Sequence, residues 1–312
     1  MSKNLRFICV QPAIDYYTWQ VEVMINNFMD KGINPNNIDV VCGITTNEPP
    51  TNWRKLADHY NMVRFFFYKD TRQSPRYISS LRPHIMKKHY LARREIVNDV
   101  IFYHDNDIMF TDKIDFNQFF QDDIWYGSDC RWYISHKYVS SKGQDILDKM
   151  CEIVDIEESL IKDNELNSIG AQYIMKNVDW QYWEQVEKDC ERLFVDITNM
   201  NNIKKQENPS YHEIQIWCAD MWAVLWNAWK LGHKTECHKD LEFSWGTSNI
   251  KDWETYKIYH NAGVTGTQFG QFYKANYMNR APYNDDIEVK PDSCSYNYWK
   301  WIQEVSKKSC LL

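Results

Sequence analysis

The stretch Val100-Ile101-Phe102-Tyr103-His104-Asp105-Asn106-Asp107-Ile108-Met109-Phe110 sets the reading of the whole chain. Its apolar run, rich in β-branched and aromatic residues, is the pattern of a strand buried on both faces. The run stops at two carboxylates one residue apart and resumes at Ile108. Side chains alternate along extended backbone, so Asp105 and Asp107 are expected on one side, within reach of a single hard cation. An Asp-x-Asp occurs by chance on many surfaces. Its position at the end of an apolar strand is what gives it chemical meaning.

Working back toward the N-terminus, residues 5–10 form a short apolar run ended by Gln11-Pro12, and residues 18–29 carry helical spacing through Trp19, Val23, Ile25 and Phe28. A turn cluster at 34–37 precedes an apolar strand at 38–44, a helix at 52–60 and a strand at 62–68. A basic helix over 83–97, with Lys87, Lys88, Arg93 and Arg94, then feeds the decisive strand. Alternation of this kind predicts an α/β fold with a central, mostly parallel sheet flanked by helices, Rossmann-like and in a single domain. Such sheets bind ligands beyond the carboxyl ends of their strands, where the acidic pair falls.

Toward the C-terminus the pattern loosens. Residues 143–156 and 180–194 read as helices, 168–175 as a strand and 218–231 as a strongly apolar helix. The polar stretch 201–210 reads as a mobile loop. The tail from 282 is acidic and then Tyr- and Trp-rich, with Tyr298, Trp299, Trp301, Ile302 and Val305 able to dock a short helix on the body.

Composition narrows the function. The chain has 36 Lys plus Arg against 43 Asp plus Glu, a formal charge of −7, and so no general attraction for nucleic acid or anionic lipid. It has no apolar run approaching the roughly 18–20 residues of a membrane span, and no signal-peptide layout at Met1, which predicts a cytoplasmic protein. The nine scattered cysteines form no CxxC pair, which suits a reduced compartment and no zinc site. Cys310 lies one residue short of a prenylation box. The 14 Trp, 20 Tyr and 14 Phe exceed the needs of a core this size, and flat aromatic faces are common in sugar-handling clefts, although they also serve cores and interfaces.

Several side chains join the acidic pair as candidates. His260, where the apolar Ile258-Tyr259 runs into His260-Asn261-Ala262-Gly263, is a possible third ligand; two carboxylates and an imidazole suit Mn²⁺, with Mg²⁺ as the other choice. A strand-end histidine hydrogen-bonded in the core is the other reading of that residue. Asp220, beside Trp217 and Trp222, could hold sugar hydroxyls or act on an acceptor; it is also the kind of acid a helix dipole favours in a first turn. Asp129 and Asn167 are further candidate contacts, Asp129 with a catalytic role in view.

The strand that ends in Asp105-Asn106-Asp107 and the later Tyr259-His260-Asn261 resemble the metal site of GT-A nucleotide-diphospho-sugar transferases, over roughly residues 5–270. More narrowly, Ser79-Ser80-Leu81-Arg82-Pro83-His84, Ile169-Gly170-Ala171-Gln172-Tyr173-Ile174 and Ile216-Trp217-Cys218-Ala219-Asp220-Met221-Trp222 are similar to segments of plant and algal peptidyl-serine galactosyltransferases and hydroxyproline arabinosyltransferases. Asp220 stands where the galactosyltransferase segment carries Glu.

The resemblance implies a metal-dependent glycosyltransferase with a GT-A fold over residues 1–280, nucleotide-binding in 1–110 and acceptor- or sugar-binding in 111–280, with 281–312 as a packed tail. Its metal ligands would be Asp105, Asp107 and His260. Its nucleotide-sugar donor, a UDP-sugar by preference, would meet Gln11, Pro12, Ala13, Arg82, Asp105, Asn106 and Asn167. The acceptor would be a glycan or protein hydroxyl, and the finer resemblance leans toward retention of anomeric configuration. The absence of a leader or anchor fits a microbe or a large virus acting in host cytoplasm better than a secretory-pathway enzyme. A metal-dependent nucleotidyltransferase and a non-catalytic carbohydrate-binding scaffold are the competing readings. With only ten glycines and no Gly-rich phosphate loop, the first of these has little support.

Overall fold

The computed structural model describes residues 3–266 and 269–312. In chain order the strands are β1 (Leu5–Pro12), β2 (Ile38–Ile44), β3 (Arg64–Lys69), β4 (Val100–His104), β5 (Ile108–Phe110), β6 (Trp125–Asp129), β7 (Ile169–Met175), β8 (Thr235–Cys237), β9 (Phe243–Trp245) and β10 (Ile258–His260). The chain forms two compact units that interleave along the sequence. One comprises Leu5–Lys69, Ile101–Gln118 and Lys239–Leu312; the other comprises Asp70–Val100 and Phe119–His238, with Asn4.

The first unit carries the strand order β3-β2-β1-β4. β1 pairs parallel with β2, and β2 with β3, in the registers Phe7↔Ile38 and Asp39↔Arg64. β2 and β4 are buried along their whole length, which is why they read as continuous apolar runs. The order runs outward from β1 through β2 to β3, then resumes on the other side of β1 at β4. That reversal is the topological switch point at which sheets of this type take ligands. The helix Asp15–Asp30 follows β1 and buries Trp19, Val23, Ile25 and Phe28, as their spacing requires.

A three-stranded sheet, β5-β10-β9, completes this unit. It rests on an aromatic core of Trp19, Met109, Tyr259, Phe272, Tyr277, Tyr283, Tyr298 and Trp299, closed by Ile302 and Val305 of the helix Cys294–Ser306. Met109 and Tyr259 belong to β5 and β10, so the C-terminal segment supports the two strands next to the acidic pair. Much of the aromatic excess is thereby accounted for as packing.

The second unit has the order β7-β6-β8, with β6 antiparallel to β7 and parallel to β8. The helix Ala219–Lys230 packs on β7, and the helix Trp180–Glu207 packs against both it and the helix Leu81–Ala92. Two expectations are corrected. The polar stretch expected as a loop at 201–210 is helical to Glu207: Asn201 is buried and donates from Nδ2 to the Ile214 carbonyl (3.2 Å), and Lys204 pairs with Asp145 (2.8 Å). Lys, Gln and Glu are good helix formers, so polarity alone does not break the element. The basic helix ends at Ala92, not Val97, because Arg93 leaves helical geometry and a separate turn, Arg94–Asn98, leads to β4. All nine cysteines are free, and among the described residues no helix is long and apolar enough to cross a membrane.

Candidate active site

The backbone explains how Asp105, Asp107 and His260 come together. β4 ends at His104, the chain turns through Asp105-Asn106-Asp107, and β5 begins at Ile108. β5 pairs antiparallel with β10 in the register His260↔Ile108, and Asn261 N–H donates to the Asp107 carbonyl at 2.9 Å. His260 is therefore fixed beside the acidic turn by sheet register. Its Nε2 lies 3.4 Å from Asp105 Oδ2 and 3.2 Å from Asp107 Oδ1. The three side chains offer ligand atoms within 4.8 Å of one another, the spacing one divalent ion can span.

Asp107 and His260 are buried, while Asp105 is partly exposed. Burial alone would lower the His260 pKa, but the carboxylates of Asp107 and Asp105 outweigh it and push the imidazole up to about 9. Burial likewise works against an ionised Asp107, and Lys274 and His260 together hold it well below the usual carboxylate range. His104 behaves in the opposite way: burial outweighs the opposing pull of Asp105 and lowers it to about 4, and it donates from Nδ1 to the Asp105 carbonyl at 2.8 Å. It is a neutral brace for the turn.

The partner that sequence reasoning missed is Lys274, whose ammonium is hydrogen-bonded to Asp107 Oδ2. It lies in the turn Lys274–Tyr277, in a stretch with neither helical nor strand periodicity. Asp107 is thus held by two protein cations, a common device for keeping a buried carboxylate charged. Trp245, paired with His260 in the β9–β10 register, stacks on the imidazole at 6.2 Å with an interplanar angle of 10°. Two buried polar atoms at this turn, Asn106 Nδ2 and His260 Nδ1, lack a hydrogen-bond partner among the described residues. Unpaired buried donors of this kind are unusual in a finished site and commonly meet a ligand or water. The two carboxylates and the imidazole fit a divalent cation of the Mn²⁺ or Mg²⁺ type.

A second constellation lies in the other unit. Asp220, in the first turn of Ala219–Lys230, accepts a hydrogen bond from Tyr77 Oη at 2.7 Å and sits 3.6 Å from Arg82 Nη1. The same Tyr77 hydroxyl reaches the Trp217 carbonyl at 2.6 Å. Glu191 accepts from Arg76 N–H (3.0 Å) and Tyr77 N–H (3.3 Å), fixing the segment that presents Tyr77 and Arg82. Tyr77 was not visible as a site residue in the sequence, because its role depends on a helix well over a hundred residues away. Of the two tryptophans flanking Asp220, Trp222 is wholly buried and donates to the Ile134 carbonyl, while Trp217 is 60% exposed.

The remaining candidates are dispersed. Gln11 is buried in the sheet and donates to the Val41 carbonyl and to Cys42 Sγ, both at 3.2 Å; Ala13 is buried, and its N–H donates to the Gly43 carbonyl at 2.8 Å. Pro12, between them, ends β1 and is partly exposed. Asp129 is engaged by the guanidinium of Arg131, which lowers its pKa. The Asn167 carbonyl accepts from Thr235 Oγ1 at 2.8 Å.

In sequence the chain matches no described protein family and no curated protein. In structure it resembles WbbM, a bifunctional glycosyltransferase solved in its apo form, at 10% identity and a TM-score of 0.50 over 99% of this chain and 52% of that one. The chain therefore spans about half the length of WbbM. The galactosyltransferase LgtC, solved in complex with donor and acceptor sugar analogs, is 11% identical over 96% of this chain and 95% of that one, with a TM-score of 0.44. The likeness to WbbM shows the fold, and with it the α/β, GT-A type class expected from the sequence.

Proposed function

We propose that the chain is a metal-dependent glycosyltransferase that moves a hexose or pentose from a nucleotide-diphosphate sugar, a UDP-sugar by preference, to a glycan or protein hydroxyl. The observation that carries this is the Asp105–Asp107–His260 cluster, immediately after β4 at the switch point of the sheet. Asp105, Asp107 and His260 would hold the cation, and the imidazole favours Mn²⁺ over Mg²⁺. When bound, it would offset the negative charge that the departing diphosphate gains. Charge at the site supports an anionic donor: with neutral His260, two carboxylates balance a divalent ion, and Lys274 leaves one positive charge over. The finer likeness to the plant and algal transferases supports retention.

Isothermal titration of nucleotide diphosphates and nucleotide sugars, with Mn²⁺ and then with EDTA, tests this on wild type and Asp107→Ala. Metal-dependent binding of one nucleotide class, lost in the variant, is the expected result. Asp105→Ala and Asp107→Ala should each cost about two or more orders of magnitude in transfer rate, since metal affinity and leaving-group orientation fail together. Failure of the wild-type protein to bind any of these compounds would refute the proposal. Release of free nucleotide diphosphate from the donor separates a transferase from a carbohydrate-binding scaffold.

A further inference from the structure

The second unit holds a cavity of about 660 Å³, and every residue that lines it belongs to that unit. The helices Trp180–Glu207 and Ala219–Lys230 contribute Gln185 and Asn227 to its lining. One wholly buried carboxylate, Asp189, orients both carboxamides: Gln185 Nε2 donates to its Oδ1 and Asn227 Nδ2 to its Oδ2, each at 2.9 Å. Asn227 Nδ2 donates to the Ala223 carbonyl as well, at 2.9 Å. With the amide nitrogens committed to acceptors, Asn227 Oδ1 and Gln185 Oε1 are left as acceptors that meet no donor among the described residues. Asn227 is only 2% exposed, and a buried polar atom so placed commonly meets a ligand or water.

Asp189 itself is short of positive charge. Among the described residues no Lys or Arg comes within ion-pair distance of it; Lys230 and Arg192 act from farther away, and burial raises its pKa. Buried carboxylates ordinarily have a cation partner. A carboxamide that donates to a carboxylate is polarised by it, which makes its carbonyl oxygen the stronger acceptor. Asn227 and Gln185 thus carry the negative character of Asp189 to the cavity wall.

The remaining lining agrees with this sign of charge. His233 packs on Trp125, with ring centroids 4.9 Å apart, and burial lowers its pKa, so the imidazole is neutral at pH 7 and offers one acceptor nitrogen. Lys230 also lines the cavity, but its ammonium is committed to the Val154 carbonyl (3.0 Å) and to Asp155 (2.8 Å), which leaves no open cation for an anionic ligand. Val97, Val178, Leu231 and the ring of Tyr182 supply an apolar wall. An ammonium brings three N–H donors and no lone pair. A hydroxyl would bring lone pairs to a wall that already presents acceptors, and an anion would be repelled by it.

We propose that this cavity is a binding site for a primary ammonium ligand with an apolar body, its three N–H donors taken by Asn227 Oδ1, Gln185 Oε1 and the acceptor nitrogen of His233. The site is independent of the glycosyltransferase reading.

The full chain is titrated calorimetrically in EDTA, without nucleotide, using amines and their alcohol isosteres as probes: butylamine and butanol, phenethylamine and phenylethanol, tyramine and tyrosol. At least one amine should bind about tenfold or more tightly than its alcohol, since a charged hydrogen bond is lost with the ammonium. Gln185→Met, which removes one acceptor oxygen, should weaken that amine about tenfold. Leu231→Trp narrows the cavity from an exposed position and should weaken it without lowering the melting temperature, so the test survives if Gln185→Met does not fold. Failure of every amine to bind, or equal binding of amine and alcohol, overturns the proposal. Amine binding that is unchanged in Leu231→Trp and lost in Asp107→Ala places the ligand at the acidic turn and overturns it too.

Discussion

Replacing Lys274 by Met should tighten the binding of Mn²⁺ to the nucleotide-free protein. In the metal-free site the Asp105 and Asp107 carboxylates face two protein cations, protonated His260 and Lys274. His260 can ligate only after losing its proton, whereas Lys274 keeps its charge and competes for Asp107. Two unit charges about 4 Å apart repel by about 4 kcal/mol at an effective dielectric of 20, and a divalent ion doubles that. The Lys274 side chain is 29% exposed, so it can swing away, and the penalty is then limited to the lost charged hydrogen bond, about 1.5–3 kcal/mol. Removing the ammonium should therefore lower the Mn²⁺ dissociation constant by about ten- to a hundredfold. Isothermal titration without nucleotide measures it directly. The variant should also melt lower than wild type without metal, because a buried carboxylate has lost a partner, and should gain more on adding Mn²⁺. Unchanged or weaker Mn²⁺ binding in a folded Lys274→Met protein would refute the reasoning.

Three further predictions concern buried ionisable side chains. The His260 imidazole, held at about 9, must deprotonate to serve as a ligand, so Mn²⁺ affinity should rise about tenfold per pH unit from neutrality toward 9 and then level off in a pH series of titrations. The stability contribution of His260 has the opposite trend in the metal-free protein. A raised folded-state pKa stabilises fully below the unfolded value of 6.5 and is lost as pH rises through about 9, so the metal-free melting temperature should fall across that window, and much less so in His260→Asn. Glu22, wholly buried, accepts hydrogen bonds from Tyr283 Oη (2.6 Å), Ser309 Oγ (2.6 Å) and Cys310 N–H (3.1 Å), tying the C-terminus to the first helix. Glu22→Ala should destabilise by about 3–5 kcal/mol in urea unfolding, and deletion of the last four residues by less, because Tyr283 still meets the carboxylate.

The sequence by itself determined the elements whose burial is complete or one-sided. β2 and β4 lie inside a sheet with both faces covered, so their residues had to be apolar throughout and could be read without knowing their neighbours. The helix Asp15–Asp30 declared itself by the spacing of its buried face, and the acidic pair by interrupting a buried strand at its end. His260 was legible for a related reason: it terminates an apolar strand, and only the β5–β10 register was needed to bring it to Asp107.

The tertiary structure alone decided the rest. Lys274 reaches Asp107 from a segment with no repeating pattern, positioned by the packing of Phe272 and Tyr277 in the aromatic core, and no local rule encodes such an approach. Tyr77 meets Asp220, and Trp217 faces water while Trp222 is buried, because of how two helices and a turn dock in one unit. Gln11 lies one residue before the end of the first strand, and only the fold shows that its side chain is buried with its amide donating to the Val41 carbonyl. Local sequence carries periodicity and chemistry; which polar groups finally share a site depends on long-range packing, and that information is distributed over the whole chain.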